Sequence, residues 1–226
     1  MQIASYIDHT VLKPTTNHIE IKKICAEALQ YHFAAVCIPP SMVRLAKSHL
    51  TGGSVSTATV IGFPFGYSVT KAKLAEIEQA IDEGADELDT VIDLTALKSG
   101  EWNELEREME AIAEAVHRRG KLLKVIIESG ILNDAEIIRC CEIYGRIGVD
   151  FLKTSTGYAE KGASVNAVRL MRQHLPASIR IKASGGIRSY VFARELIEAG
   201  ADRLGASAGV DLVREEAAME RTGLEK

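Results

Sequence analysis

Short apolar runs of β type alternate along the chain with longer segments in which apolar residues recur at helical spacing. The β-type runs read YIDHTVL, FAAVCI, VSTATVIGF, ELDTVID, LLKVIIE, FLKTS, IRIKAS and DRLGAS. Amphipathic segments such as TKAKLAEIEQAIDEGA and WNELEREMEAIAEAVHRRG lie between most of them. Repeated units of a strand followed by a helix, eight in number, predict an α/β fold of the (β/α)8 or TIM-barrel type.

The ends of the predicted helices and the length of the chain agree with one barrel. Glycines stand just before several predicted strands, where a left-handed helix cap is common: Gly84, Gly120, Gly148 and Gly200. A doubly wound open sheet is the alternative, but no GxGxxG phosphate loop follows the first strand. No linker or composition break divides the 226 residues. We therefore expect residues 1–226 to form a single barrel domain.

Charged residues occupy one face of several predicted strands. Side chains alternate across a strand, so in LLKVIIE the apolar Leu123, Val125 and Ile127 share a face that excludes Lys124. Helices cover the outside of a barrel, so the apolar faces should point outward and the charged faces inward. This places Asp89, Lys124, Lys153 and Lys182, from four consecutive strands, inside the barrel. These four residues could form an ion-pair network in which every charge has a partner. However, one aspartate cannot neutralise three lysines, and a buried cation without a carboxylate partner is energetically costly.

A buried lysine pair has a specific chemical use. A lysine has an ordinary pKa of about 10.4, and its ammonium form cannot attack a carbonyl. A second cation and partial desolvation favour the neutral amine, which can form a Schiff base. Lys153 and Lys182 lie on adjacent predicted strands at similar height. Asp89 could move protons between them and a substrate, directly or through one water.

Three loops after the last strands have the composition of a phosphate site. They read TSTG, SGGIRS and GASAG. Glycines let backbone N–H groups approach an anion, and hydroxyl side chains add donors; barrels often bind phosphate after strands 7 and 8. Ordinary turn chemistry explains each loop alone. The three together at one rim predict an anionic small-molecule ligand.

Composition and charge narrow the function classes. The net charge is -4 and no basic stripe is present, which argues against nucleic-acid binding. No apolar run approaches a membrane span, and the N-terminus lacks the pattern of a signal peptide. The four cysteines form no CxxC pair, and the six histidines form no HExxH or HxH motif. We therefore expect a cytoplasmic protein with reduced thiols, no metal and no cofactor.

Seven segments together resemble the deoxyribose-phosphate aldolases. They are IDHTVLKP, VIGFPFG, ELDTVID, LLKVIIESG, FLKTSTGY, KASGGIR and GASAG; they occur in that family's order and cover roughly Tyr6 to Val210. The resemblance implies a class I aldolase on a TIM barrel without a metal. It also implies reversible cleavage of 2-deoxy-D-ribose 5-phosphate to D-glyceraldehyde 3-phosphate and acetaldehyde, in a protein that is commonly a homo-oligomer.

The same resemblance assigns roles to individual residues. It implies that Lys153 forms the Schiff base, that Lys182 perturbs it and takes part in proton transfer, and that Asp89 relays protons. The implied phosphate contacts are Gly157, Gly185, Gly186, Gly205 and Ser207. Thr10 and Thr156 are expected partners of the sugar hydroxyls, and Asp8 is expected to help hold that rim, although all three could be turn or cap residues.

Several positions depart from patterns seen in relatives or leave a choice open. Ala208 stands where several relatives have a second serine, Tyr158 stands where some have a lysine, and no C-terminal tyrosine is present. Cys37 is either a small buried hydrophobe or a site of aldehyde damage. Three other functions remain in view: another class I aldolase or transaldolase, a non-catalytic sugar-phosphate sensor, and a phosphate-binding isomerase. The lysine pair with Asp89 favours the aldolase.

Overall fold

Eight parallel strands close into a barrel, as the alternation of strand and helix patterns predicts. The computed structural model describes residues 2–222. The strands are β1 (Ile7–Thr10), β2 (Ala35–Ile38), β3 (Ser56–Ile61), β4 (Glu87–Val91), β5 (Leu122–Ile126), β6 (Phe151–Lys153), β7 (Arg180–Ser184) and β8 (Arg203–Ala206). Each strand pairs with the next one along the chain, and β8 pairs with β1 to close the barrel. The (β/α)8 prediction is confirmed, and the open-sheet alternative is wrong.

The helices of the described residues lie around the barrel. They are α1 (His18–Tyr31), α2 (Val43–His49), α3 (Thr70–Asp82), α4 (Leu94–Lys98), α5 (Trp102–Arg118), α6 (Asp134–Ile147), α7 (Val165–His174), α8 (Tyr190–Glu198) and α9 (Gly209–Thr222). Short 3-10 turns cover Ile3–Tyr6, Pro40–Met42 and Ser129–Ile131. No helix within residues 2–222 combines the length and the apolar character that a membrane crossing requires.

Local sequence explains where these helices begin and end. Asn17 and Asn133 are the N-caps of α1 and α6, and their side chains accept backbone N–H groups of the first helical turn. In return, the side chains of Glu20 and Glu136 accept the backbone N–H of Asn17 and Asn133. Gly148 ends α6 with a φ of 79°, a left-handed conformation that glycine adopts without steric cost. The other glycines expected to follow helices, Gly84, Gly120 and Gly200, also have positive φ.

Strand register sorts the side chains into an outer core and a barrel interior. Leu123, Val125 and Ile127 are fully buried in the large apolar cluster between strands and helices. Inside the barrel, one side is small and apolar; it consists of Ala35, Cys37, Ala58 and Val60 from β2 and β3. Val60 pairs with Asp89, where the interior becomes charged. The apolar faces therefore point outward and the charged faces inward, as predicted.

Candidate active site

A cavity of about 780 Å³ opens at the carboxyl ends of the barrel strands. Its walls come from the last residues of β1, β6, β7 and β8, from the loops that follow them, and from one face of α1. Helix-flanked loops at this end of a barrel are where ligands are bound in this architecture. The cavity is therefore the candidate active site.

Lys153 joins the charged interior to this cavity. It is the last residue of β6 and is only 3% exposed. Its Nζ donates to Oδ2 of Asp89 over 2.7 Å. Lys182 is its register partner on β7, and both Lys182 and Asp89 are fully buried below the cavity floor. Lys153 is thus the amine of the charged interior that a ligand in the cavity would meet.

Asp89 is the common acceptor of three lysines. Its Oδ1 accepts from Lys124 over 2.7 Å, and its Oδ2 accepts from both Lys153 and Lys182, each over 2.7 Å. Burial opposes ionisation of this carboxyl, but the three lysines around it hold its pKa well below the ordinary value. The predicted convergence of Asp89, Lys124, Lys153 and Lys182 is confirmed.

The expectation that one aspartate faces three lysines is wrong, because two further carboxylates and an arginine share the interior. Asp8 Oδ2 lies 2.5 Å from Lys182 Nζ, and a Glu87 carboxyl oxygen lies 2.6 Å from Lys124 Nζ. Arg203 donates to Asp8 and, over 3.1 Å, to Glu87. Asp8 is fully buried, so it does not hold the cavity rim as expected. The network has three carboxylates for four cations.

The contacts show which of the four cations is held least firmly. Lys124 lies within 4 Å of all three carboxylates, and Lys182 and Arg203 each contact two. Among residues 2–222, Lys153 pairs with Asp89 only. Burial lowers the pKa of Lys153, Asp89 opposes that, and the nearby Lys182 adds to it. For Lys182, the attraction of Asp8 and Asp89 outweighs burial, so its pKa is raised. Of the three interior lysines, Lys153 is therefore the one that loses its proton most readily.

The rim of the cavity carries the glycine loops. Gly157, Gly185 and Gly186 line it, and all three have φ between 77° and 88°. A side chain at Gly205 would meet Ser184 Cβ at 2.8 Å and Lys182 Cε at 3.2 Å, so this position lets β8 approach the lysine. Ser207 stands at the rim two residues before α9, whose N-terminus attracts anions. Glycine-rich backbone and a serine hydroxyl therefore lie along one edge of the cavity.

Comparisons with known proteins agree with this geometry. Residues 2–216 match the model of the DeoC/LacD family of aldolases. The chain belongs to this aldolase family. It is 47% identical to the deoxyribose-phosphate aldolase of Thermococcus gammatolerans, with 94% of this chain and 96% of the relative aligned. It is also 47% identical to that of Streptococcus gordonii, over 96% and 98% of the two chains.

A solved structure of another relative shows the same fold. The tetrameric deoxyribose phosphate aldolase of Aeropyrum pernix superposes with a TM-score of 0.87 at 31% identity, covering 96% of this chain and 92% of the other. The resemblance noted from the sequence motifs is therefore confirmed at the level of family and fold.

The aldolase gathers the sequence-predicted site residues around the cavity, with some differences. Its lining includes Lys153, Thr10 and Thr156. The Thr10 hydroxyl donates to the Asp8 carbonyl over 2.8 Å, and the Thr156 hydroxyl donates to Glu128. Both hydroxyls are thus already held by the protein and can still accept a bond from a ligand. The proposed roles of these residues remain predictions.

Glu128 is a structural element of the site that sequence reasoning did not single out. It follows β5 in the left-handed conformation, with a φ of 54°, and is 3% exposed. One carboxyl oxygen accepts both the hydroxyl and the N–H of Thr156, and burial raises the pKa of this carboxyl. Strand alternation in LLKVIIE puts Glu128 on the same inward face as Lys124, and this was the sequence feature that could have identified it. Glu128 fixes the loop that follows Lys153.

The positions that depart from relatives have defined surroundings. The Tyr158 hydroxyl donates to the Leu12 carbonyl over 2.7 Å, and its ring packs edge-on against Phe63. Tyr158 therefore joins two loops across the cavity mouth. Ala208 is half-buried and is not part of the cavity lining. The segment expected to lack a C-terminal tyrosine ends in residues 223–226, outside the described residues.

Cys37 points into the small apolar part of the barrel interior. Its side chain is fully buried with Ala35, Ala58 and Val60, and burial raises the pKa of its thiol. This surrounding favours a small buried hydrophobe over a thiol ready to react with an aldehyde. Within residues 2–222, no cluster of three or more His, Cys, Asp or Glu side chains is arranged to hold a metal ion.

Proposed function

We propose that this family member is a class I aldolase that reversibly cleaves 2-deoxy-D-ribose 5-phosphate to D-glyceraldehyde 3-phosphate and acetaldehyde. The observation that carries the proposal is Lys153. It is the one residue of the charged interior that lines the cavity, and it has the fewest carboxylate partners of the four cations. The names of the relatives from Thermococcus gammatolerans and Streptococcus gordonii support the choice of substrate.

The chemistry begins with addition of the Lys153 amine to C1 of the open-chain sugar. Loss of water gives an iminium, which draws electrons from the C2–C3 bond. Removal of the C3 hydroxyl proton then breaks that bond, releases D-glyceraldehyde 3-phosphate and leaves an enamine on Lys153. Protonation of the enamine at C2 and hydrolysis free acetaldehyde and restore the amine.

Asp89 and Lys182 are the proposed proton carriers for these steps. The Asp89 Oδ2 atom is 2.7 Å from both Lys153 Nζ and Lys182 Nζ, so a proton can pass between the two lysines through one carboxylate oxygen. Both groups lie below the cavity floor. They therefore reach the substrate through Lys153 or through one water, within the range of general acid–base catalysis.

The proposal is tested by trapping the imine. Acetaldehyde and borohydride are added to the protein, and the reduced adduct is located by peptide mass spectrometry. We expect an ethyl group on Lys153. Modification of Lys124 or Lys182 with Lys153 unmodified would contradict the assignment of the nucleophile, and an absence of any trapped adduct would contradict the class I mechanism.

The rim residues are proposed to bind the substrate phosphate. Gly157, Gly185, Gly186, Gly205 and Ser207 line one side of the cavity, and the N-terminus of α9 follows them. The side chains of Lys13 and Arg188 also line the cavity and are exposed, so they add positive charge at the mouth. This edge suits an anion better than any other part of the lining.

We expect the phosphate to contribute orders of magnitude to kcat/KM. A hydrogen bond to a charged group contributes roughly 1.5–3 kcal/mol, and several are lost together with 2-deoxyribose as substrate. Part of the loss should appear in kcat, because binding energy remote from the reacting carbon also stabilises the transition state. The measurement is the ratio of kcat/KM for the two sugars.

The variant Ser207→Ala localises the effect. It should lower kcat/KM for the phosphate ester by roughly tenfold to a hundredfold and leave the unphosphorylated sugar unaffected, since one charge-assisted bond is lost. Equal efficiencies of the parent on both sugars would refute the phosphate site. An unchanged ratio in the variant would refute only the role of Ser207.

Association with copies of itself is also part of the proposal. The Aeropyrum pernix relative is tetrameric. In this chain Phe65, Tyr67 and Val69 are 49%, 62% and 73% exposed on one loop, and the two rings stack on each other. Exposed apolar groups of this kind are commonly covered by a protein partner. The mass in solution by light scattering tests the assembly.

A further inference from the structure

The charged interior extends well below Lys153, to residues that do not touch the cavity. Glu87 and Arg203 are the first residues of β4 and β8, whereas Lys153 is the last residue of β6. Neither Glu87 nor Arg203 lines the cavity. Glu87 is 1% exposed, and the Arg203 side chain is 14% exposed. They belong to the opposite end of the barrel interior from the amine that a ligand meets.

A continuous chain of ion pairs connects these residues to Lys153. Arg203 Nη2 donates to Glu87 over 3.1 Å, and Lys124 lies 2.6 Å from the other Glu87 oxygen. Lys124 then donates to Asp89 over 2.7 Å, and Asp89 accepts from Lys153. A second route runs from Arg203 through Asp8 and Lys182 to the same Asp89 oxygen. A change of charge at Arg203 or Glu87 thus acts on Lys153 through groups that have no access to solvent.

The balance of charge in this network decides the state of the fourth cation. The carboxylates Asp8, Glu87 and Asp89 are matched by the three multiply bonded cations Lys124, Lys182 and Arg203. A proton on Lys153 would add a net positive charge to a buried cluster that is otherwise neutral. Such a charge is costly in a medium of low polarity, and the group loses the proton instead.

We propose that Glu87 and Arg203 are positioning residues whose opposite charges hold the buried network neutral and together set the balance between the free amine and the ammonium form of Lys153. Neither needs to contact substrate. The inference rests on the proposed function of Lys153, and it identifies groups outside the cavity that set the pH at which Lys153 can react. The positive charge of Arg203 disfavours a proton on Lys153. The negative charge of Glu87 has the opposite effect and limits how far the pKa of Lys153 falls.

Other charged or titratable groups near Lys153 also influence its protonation, in addition to Glu87 and Arg203. They are Asp89 on β4, Lys182 on β7, Cys37 on β2, Lys124 on β5 and Glu128 just after β5. All of them stay unchanged in the test, so a shift can be assigned to the altered charge. Each effect should be of the order of one pH unit, because a unit charge a few contacts away acts through an effective dielectric constant of about 20.

The test measures the protonation of Lys153 without using the aldolase reaction. Acetylation of Lys153 by acetic anhydride is followed against pH in competition with a reference amine, and the modified peptide is quantified by mass spectrometry. Glu87→Gln should move the midpoint down by about one unit, and Arg203→Met should move it up by about one unit. Below the midpoint, each unit is a tenfold change in the fraction of amine.

Two further variants separate charge from shape. Arg203→Lys keeps the cation but loses the guanidinium geometry, and the double variant Glu87→Gln with Arg203→Met restores neutrality; both should have midpoints near that of the parent. Midpoints that stay unchanged in Glu87→Gln and Arg203→Met, or that move in the same direction, would overturn the proposal. Shifted midpoints in an enzyme whose Lys153 is not trapped by acetaldehyde and borohydride would contradict the proposed function instead.

Discussion

Lys153→Met should lower kcat/KM for 2-deoxyribose 5-phosphate by roughly 10⁴-fold or more, because no other group of the charged interior reaches the cavity. Folding should be little affected. Asp89 keeps its bonds to Lys124 and Lys182, and replacing an uncharged amine removes no charge from the balanced network. The measurements are steady-state kinetics and the thermal midpoint Tm at neutral pH.

A second buried lysine provides a matched control for this variant. Lys73 is fully buried outside the barrel, where its Nζ donates to the Val91 carbonyl and to Glu108, each over 2.9 Å. Lys73→Met leaves Glu108 buried without its cation, although Thr70 still donates to it, and should lower the free energy of unfolding by about 3–5 kcal/mol. The folded fraction should retain its kcat. If Lys153→Met kept substantial activity, or if its Tm fell as far as that of Lys73→Met, an uncharged catalytic Lys153 would be contradicted.

Asp89→Asn should lower kcat by about 10²- to 10⁴-fold while the imine on Lys153 still forms. The asparagine cannot carry a proton between Lys153 and Lys182, so the steps that need proton transfer become slow. Capture of the aldehyde should survive, because loss of a carboxylate makes a cation at Lys153 less favourable, not more. Borohydride trapping with acetaldehyde measures capture, and steady-state kinetics measure turnover.

Asp8→Asn is the control that separates proton transfer from electrostatic balance. It removes one negative charge from the same network, where Lys182, Lys124 and Arg203 overcome the effect of burial and lower the pKa of Asp8 to about 2. Asp8 does not contact Lys153. The variant should lose stability comparably to Asp89→Asn but keep a clearly higher kcat. An Asp89→Asn protein that fails to form the imine would indicate that Asp89 has a structural role.

Much of this protein follows from the order of its residues. The repeated strand and helix patterns predict the barrel. Parallel strands must be buried on both faces and amphipathic helices must bury their apolar face, and few arrangements of alternating strands and helices satisfy both needs. The period of two in LLKVIIE separates Lys124 from Leu123 and Val125 before any coordinates are known. For the same reason Lys153, Lys182 and Asp89 could be placed together in the interior.

What the sequence could not determine is how many charges meet inside the barrel and which cation has the weakest partners. Alternation places Glu87 on the same face of its strand as Asp89, but nothing in the local pattern around Asp8 and Arg203 shows that they share one network with it. Closure of the barrel brings β1, β4 and β8 together from distant parts of the chain. The protonation of a buried lysine depends on the sum of charges within a few ångströms in a medium of low polarity, and only the tertiary structure determines that sum.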